Sequence, residues 1–444
     1  MGRKISKPIN KLDAIYGSSG FLMNFGLERI KALMRYAGNP QDQLKTVHIA
    51  GTNGKGSVSR FIYSILEEHS LNVGLYTSPH LITFSERIIV GGEKISNDDL
   101  ERLNNFFNKI ISEKDDFKKL GSPSFFELTT AICFQYFYEK KVDIAVIEAG
   151  LGGRLDATNI IKKPLLSVIT NISMDHKDIL GGSLKKIALD KAGIIKRSSV
   201  VVCGEKKSVI ADLIKDYALS LKAGYFSSNC VKLFEKGGLY NYKGLNTEIK
   251  NIKLPNLALY QKYNLKLGLL SIEVLYKYFK NSFKTDLNDN LIRNGILKFK
   301  NEGRFEIIKY KNSSIVLDGA HNPDGIKNLV ISLRKIFSKN NFIIIFAVMK
   351  DKDYKTILRR LSVLGGDIIF AGLNNDRALG VNDLKELSLQ SRYFRNVFTA
   401  DNIKDALQTA IKSKKKNDII LICGSLYLIG EFKKTVTNSL RLNS

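Results

Sequence analysis

The chain has 444 residues, 44% hydrophobic and 25% charged. That balance suits two or three domains with buried cores and excludes a disordered or fibrous protein. No apolar run approaches the ~18 residues that cross a bilayer, and no apolar stretch follows the basic start; a cytoplasmic protein without a secretory signal is expected.

Lysine and arginine total 69 against 43 aspartates and glutamates, a formal charge of +26. A basic surface attracts nucleotides, polycarboxylates or nucleic acid. Here the lysines are scattered, and the tight cluster Lys412–Lys416 reads as a helix end. A general Lys, Asn and Ile bias accounts for the charge, and no nucleic-acid partner is expected. Cys133, Cys203, Cys230 and Cys423 lie far apart with no Cys-x-x-Cys pair, which points away from structural zinc and toward a reduced compartment. Met1-Gly2-Arg3-Lys4-Ile5-Ser6 fits the loose myristoylation pattern, but nothing else points to a membrane.

Leu27–Ala37 has the spacing of an amphipathic helix. Lys45–Ala50 is a short apolar strand that runs into Gly51-Thr52-Asn53-Gly54-Lys55-Gly56-Ser57, and Val58–His69 follows with helical spacing. Further strands are expected at Val73–Thr77, Val142–Ile147, Leu165–Thr170 and Ser199–Cys203, with helices such as Phe126–Lys140 between them. This alternation predicts a parallel sheet covered on both faces. Residues 225–255 are polar and punctuated by glycine, as in a small hairpin excursion, and Leu257–Phe279 resumes as helix. Lys298–Gly303 reads as a hinge. Beyond it Ser314–Leu317, Phe342–Val348, Asp367–Ala371, Asn396–Thr399 and Asp418–Cys423 read as strands, with helices including Gly325–Phe337 and Asn402–Lys412. The expected fold class is α/β: a larger domain with a mostly parallel sheet over residues 1–300 and a second, smaller α/β domain over 301–444.

Gly51–Ser57 carries the strongest local chemistry. Glycines let backbone N–H groups turn around an anion, and the following helix N-terminus adds partial positive charge. Lys55 can reach outer phosphates and the Ser57 hydroxyl can approach Mg2+. The strict Walker A spacing fails, because Ile49 stands at its first glycine and Gly56 separates Lys55 from Ser57. Glu148 ends a strand and is followed by Ala149-Gly150-Leu151-Gly152-Gly153-Arg154-Leu155-Asp156. A carboxylate beyond a strand end suits Mg2+, although a salt bridge to Arg154 would explain it equally. Three of the five histidines, His80, His176 and His321, follow strand ends. Lys191 sits at a helix end, where the dipole alone would favour a lysine.

Taken in order, Gly51-Thr-Asn-Gly-Lys-Gly-Ser57, Thr77-Ser-Pro-His-Leu81, Glu148 through Asn159, Asp175-His176, Lys191-Ala-Gly-Ile194, Leu317-Asp-Gly-Ala-His-Asn322 and Gly424-Ser-Leu-Tyr-Leu-Ile-Gly-Glu431 resemble the folylpolyglutamate synthase and dihydrofolate synthase family, a branch of the Mur ligases. The resemblance spans nearly the whole chain. It implies that residues 1–300 form a P-loop-type ATPase domain and 301–444 a Rossmann-like glutamate-ligase domain, with ATP-dependent ligation of L-glutamate to a folate or dihydropteroate acid in the cleft between these two domains of a monomer. Gly54, Lys55, Gly56 and Ser57 would hold the ATP phosphates. Asn264, Arg304 and Asp318 would contact the nucleotide, and His321 would lie near the transferred phosphoryl group. Ser78, Glu148 and His176 would ligate magnesium, two ions in all, with a carbamylated Lys191 as a further ligand. The pterin would lie near Ser124, Phe125 and Phe126, and near Leu155, Asp156 and Ala157. Two positions depart from the family pattern: Tyr260 stands before Gln261 where histidine is common, and Asn301 stands where tryptophan is common.

The implied chemistry is phosphorylation of a carboxylate to an acyl phosphate, stabilised by Lys55, magnesium and Arg304, then capture by the amine of glutamate. A Mur-type ligase of nucleotide-sugar acids is the nearest alternative; Thr77-Ser-Pro-His-Leu81 and Gly-Gly-Arg-Leu-Asp argue against it. A non-catalytic nucleotide- or nucleic-acid-binding protein is the other, without aromatic–basic alternation to support it.

Overall fold

The computed structural model describes residues 26–175, 181–283 and 285–441. Its larger sheet holds β1 (Thr46–Ala50), β2 (Val73–Tyr76), β3 (Ile88–Val90), β4 (Glu93–Lys94), β5 (Ile144–Glu148), β6 (Leu166–Ile169), β7 (Val200–Cys203) and β8 (Gly224–Ser227). The spatial order is β4-β3-β2-β5-β1-β6-β7-β8. The six strands from β2 across to β8 are parallel, whereas β3 and β4 turn back antiparallel at one edge.

Both faces of its central strands β1, β2, β5, β6 and β7 are buried, which is why they read as continuous apolar runs. Val47, Ile49, Val73, Leu75, Ile144 and Val146 pack with the helices Lys55–Glu68, Gln261–Phe279 and Asp289–Leu297. Tyr76, Ala145 and Ile147 face the helices Glu28–Tyr36, Asn97–Glu113 and Phe125–Glu139. At Gly295 an added Cβ would stand 2.6 Å from the Ile65 Cα, so two helix backbones touch there.

Residues 225–255 are more than a hairpin. Residues 224–227 extend the main sheet as β8, and β9 (Lys232–Lys236), β10 (Leu239–Lys243) and β11 (Glu248–Ile252) form a separate antiparallel three-stranded sheet. Gly237 and Gly238, with φ of 61° and 77°, make the tight turn between β9 and β10. The following helix begins at Gln261, because Asn256 and Pro255 hold the preceding segment irregular and Asn256 Oδ1 accepts the Ala258 N–H.

The second lobe has the order β12-β13-β17-β14-β15-β16, from β12 (Glu306–Tyr310), β13 (Ser313–Asp318), β14 (Phe342–Phe346), β15 (Asp367–Ala371), β16 (Asn396–Ala400) and β17 (Ile419–Cys423). β12 is antiparallel to β13 and the rest are parallel. No strand is expected at β12 from the sequence: it is a half-exposed edge with alternating burial, lacking the apolar run of a doubly covered strand. The chain is thus a mixed α/β protein with a large, mostly parallel sheet and a second α/β unit. No helix among the described residues is long and apolar enough to cross a membrane.

Candidate active site

In the larger sheet β1 lies between β5 and β6, with Ile49 level with Glu148 and Ala50 level with Ile169. From β1 the chain crosses to β2 on one side, and from β5 it crosses past β1 to β6 on the other, so a crevice opens beyond the carboxyl ends of these strands. Gly51–Gly54 turns there into the helix that starts at Lys55, with Gly54 capping it at φ 91°. The first-turn N–H groups of that helix lack intrahelical partners and face an anion-binding position. Thr52 N donates to the Asn171 carbonyl at 2.8 Å and Asn53 N to Asn171 Oδ1 at 2.9 Å, which pins the loop to the end of β6. A Cβ on Gly54 would stand 2.5 Å from Asn264 Oδ1, so Asn264 backs the loop directly. Lys55 folds over it, Nζ donating to the Gly51 carbonyl at 3.2 Å.

A cavity of about 460 Å3 lies above this loop. Gly54, Lys55, Gly56, Ser57, Ser78, Glu148, Lys191 and Asn264 line it from the first lobe. Arg304, Asp318, His321, Lys352 and Arg377 close it from the second. The residues expected to hold phosphates, nucleotide and metal are therefore brought together from points scattered along the chain.

Glu148 is buried, and its carboxylate accepts the Ser78 N–H at 3.2 Å. Burial raises its pKa, opposed by Lys55, that N–H, Arg304 and Arg60. Arg154 does not neutralise it; Arg154 Nε lies 3.9 Å from Asp190 instead. A buried carboxylate beside serine hydroxyls and a phosphate loop fits Mg2+, which takes one or two carboxylates and completes its shell with phosphate oxygens and water. Ser57, Ser78 and Glu148 are the oxygen-bearing side chains here, that of Ser57 engaged by the amides of Gln261 and Asn301. Among the described residues no group of three or more His, Cys, Asp or Glu side chains could hold a metal by itself. His176 lies outside the described residues.

Lys191 is buried on the last turn of Leu184–Ala192. Desolvation first, and then Lys55, bring its pKa down to about 7, against the pull of Asp175, Asp190 and Asp156. Asp318 is buried and heavily engaged: Oδ2 accepts Tyr260 OH at 2.6 Å and Phe305 N at 3.0 Å, and Oδ1 accepts Ala320 N at 2.8 Å. His321 Nδ1 donates to the Gly319 carbonyl at 2.8 Å, which leaves Nε2 the acceptor, 3.9 Å from Asp175. Its pKa falls to about 4 through burial, so the ring is neutral near pH 7. His80 accepts Arg87 Nε at 3.0 Å and is held neutral with a pKa of about 3 by burial, then by Arg87 and Lys434.

The residues expected around the pterin are not among those that line this cavity; Phe126 and Asp156 touch its lining loop at Gly150 and Leu151. Ser124 caps Phe125–Glu139 in a reciprocal box with Glu127. Phe126 packs over Gly150, where a Cβ would stand 2.4 Å from its ring. Phe125 meets Phe84 edge-on and lies under the Arg87 guanidinium. Leu155 is exposed, while Ala157 is buried. The Asp156 carboxylate holds the glycine loop by accepting Leu151 N at 2.8 Å and caps the short turn at Ala157–Ile160.

Sequence reasoning missed a cross-lobe network. Asn322 Nδ2 donates to Asn53 Oδ1 at 2.9 Å and to Asp175 Oδ2 at 3.0 Å. Asn171 Nδ2 donates to Asp324 Oδ2 at 2.9 Å, and Lys352 Nζ to Asp175 Oδ1 at 2.9 Å. A signal existed: Asn322-Pro323-Asp324 is a helix-start pattern, and Lys352 follows the end of β14. Arg60 had none. It reaches the cavity five residues after Lys55, and burial lowers its pKa against Glu148, Glu302 and Glu86.

A phosphate loop at a switch point, roofed by a second α/β lobe that supplies an arginine, an aspartate and a histidine, is the layout of a Mur-type ligase. The Mur ligase middle domain model matches residues 49–270 and the Mur ligase glutamate ligase domain model matches 303–426. Within that class, the chain belongs to the folylpolyglutamate synthase/dihydrofolate synthase family of ATP-dependent ligases. It is 35% identical to the dihydrofolate synthase/folylpolyglutamate synthase of Bacillus subtilis, over 95% of this chain and 97% of that one. Mycobacterium tuberculosis folylpolyglutamate synthase, solved with ADP and AMPPCP, superposes with a TM-score of 0.85 at 30% identity, covering 92% of this chain and 95% of that one. A bifunctional folylpolyglutamate synthase/dihydrofolate synthase solved with Mn, AMPPNP and L-glutamate has a TM-score of 0.80 at 26% identity, covering 96% and 98%.

Proposed function

We propose that this chain joins L-glutamate to a folate-type acid, dihydropteroate or a reduced folate, at the expense of ATP and through an acyl phosphate. One observation carries the reading: the phosphate loop, Glu148 and Lys191 share a single cavity with Arg304, Asp318 and His321 of the opposite lobe. Residues 1–300 then act as the ATP-binding domain and 301–444 as the glutamate-ligase domain.

The helix N-terminus and Lys55 bind the phosphates and stabilise charge on the moving phosphoryl group, with Arg304 acting from the other side. Ser57, Ser78 and Glu148 would hold Mg2+, which neutralises phosphate charge. His176 and a carbamylated Lys191 would complete a second such position. The Lys191 environment favours the modification: a neutral buried amine is the form that adds CO2, and the carbamate replaces a positive charge repelled by Lys55 with a negative one.

In the first step the substrate carboxylate attacks the γ-phosphorus and ADP leaves. In the second the glutamate amine attacks the acyl carbon, the C–O bond to phosphate breaks and phosphate leaves with the electron pair. The proton shed by the amine needs an acceptor, and His321 Nε2 and Asp175 both face the cavity. The second lobe keeps water from the acyl phosphate between the steps. Outside the cavity, Ser124, Phe125, Phe126, Leu155, Asp156 and Ala157 would form the pterin wall.

Purified protein should be given ATP, Mg2+ and L-glutamate with either dihydropteroate or tetrahydrofolate, and the products weighed by mass spectrometry. The expected product is the acid plus one glutamyl residue, with one ADP and one phosphate released per bond. Failure to form an amide with either acid would refute the reading.

A further inference from the structure

A serine hydroxyl offers two acceptor lone pairs and one proton. At Ser57 both acceptor positions are taken: Gln261 Nε2 donates at 3.2 Å and Asn301 Nδ2 at 2.7 Å. Ser57 is buried as a residue and lines the cavity, so these two amides hold its hydroxyl at the edge of the site. In this state it has a proton to give and no lone pair for a cation. If Ser57 is to serve as a metal ligand, one amide must release it.

The two amides are not equally able to yield. Gln261 is fully buried, and its Oε1 accepts Asn264 Nδ2 at 2.9 Å, which fixes the side chain against the helix Gln261–Phe279. Asn301 is partly exposed, lines the cavity and lies in the irregular stretch between Asp289–Leu297 and β12. A half-turn of its amide replaces the N–H donor with the carbonyl oxygen, which accepts the Ser57 O–H and frees one lone pair. We infer that Asn301 is a positioning residue that changes from donor to acceptor at Ser57 when a divalent cation binds, and so transmits metal occupancy to the connection between the lobes.

The connection is wired to carry such a change. The Asn301 carbonyl accepts Arg304 N at 3.3 Å, and the Gly303 carbonyl accepts Gly319 N at 2.8 Å, beside Asp318. Gly303 N donates to Glu306 Oε2 at 2.7 Å. Resetting Asn301 therefore acts within three residues on Arg304 and on the backbone next to Asp318. An asparagine amide, with one NH2 group and one carbonyl oxygen, is able to take either role. The inference rests on the nucleotide and metal reading above and adds a residue outside the ligand set.

The test uses the full chain with ADP, with and without Mg2+. Calorimetry measures ADP affinity, and hydrogen exchange followed by mass spectrometry measures residues 298–305. In the wild type, Mg2+ should change exchange in that segment several-fold. Asn301→Ala should still bind ADP but lose the Mg2+ response of the segment. Asn301→Asp, an acceptor only, should show the Mg2+-bound exchange level in both conditions. A variant that merely loosens the loop would raise exchange equally with and without Mg2+. If ADP binding depends on Mg2+ while wild-type exchange at 298–305 does not, or if Asn301→Ala keeps the wild-type response, the inference is overturned and the nucleotide site stands. ADP binding indifferent to Mg2+ would remove both.

Discussion

At the scale of single residues, the chemistry depends on charged groups kept out of water. Glu148, Asp318 and Lys191 are all buried, and burial pushes each toward its neutral form. Such groups are retained where a ligand or modification completes their surroundings. Lys191 is the sharpest case, because carbamylation would turn an isolated buried amine into an anion beside Lys55. Lys191→Ala is expected to lower turnover by ~100-fold or more, the scale on which lost charge stabilisation acts. Added formate or acetate should restore part of it by supplying the missing carboxylate. Wild-type turnover in the unrescued variant would take the carbamate out of the scheme. Tyr260 and Asn301 bond to Asp318 and Ser57, two of the residues expected to hold the nucleotide.

At the scale of elements, β1 decides where the site forms, and it carries an unusual passenger. His48 is fully buried at its centre, and Nε2 lies 2.8 Å from Thr158 Oγ1. Thr158 gives its own proton to Asp156, so Nε2–H is the donor in that pair. Nδ1 is buried without a hydrogen-bond partner among the described residues. Desolvation, with a smaller push from Lys196, lowers the His48 pKa to about 3 from 6.5. The unfolded chain therefore binds a proton below about pH 6.5 that the folded chain refuses until about pH 3. Stability from this residue is complete above that window and is lost as pH falls through it, by about 1.4 kcal/mol per pH unit for one proton. His48→Gln keeps a donor for Thr158 and removes the titration. Urea unfolding between pH 7 and pH 4 should show a shallower loss for the variant by about that slope; parallel curves would mean that His48 does not hold this charge state. Taking the difference between the two proteins cancels the opposing contribution of buried carboxylates such as Glu148, whose raised pKa acts with the other sign.

At the scale of the molecule, polar bonds join the two lobes beside the apolar contacts that Leu81, Ala258 and Tyr260 make with the cores of the second lobe. Asp324 Oδ2 accepts from Asn53 at 3.3 Å and from Asn171 at 2.9 Å, and Asn322 bonds back to Asn53. The partners on the first lobe belong to the phosphate loop and to the strand end that pins it, so the same contacts that close the lobes also shape the anion site. Net gains from such bonds are about 1 kcal/mol, enough to bias closure without locking it. Asp324→Ala should shift the protein toward an open arrangement. The KM for ATP should rise about five-fold per kcal/mol lost, with kcat changed less, and small-angle scattering should report a larger radius of gyration. Unchanged KM and radius together would show that these bonds do not control closure.

The sequence by itself determined the α/β class, the strand–loop–helix at Gly51–Ser57 and the strand-end position of Glu148, because these follow from local apolar periodicity and from glycine and lysine spacing over short stretches. The ordered motifs extended that to the family, which local physics alone would not have reached. Tertiary structure decided what periodicity cannot encode. β12 is a half-exposed edge with no doubly buried run, and residues 232–252 form two successive hairpins whose largely exposed strands carry no apolar run. Arg60, Asp324 and Lys352 acquire their roles from what crosses to meet them. The Ser57–Asn301 bond joins residues 244 positions apart, a contact set by how the helix of Ser57 packs against the segment after Asp289–Leu297 and not by anything written near either residue.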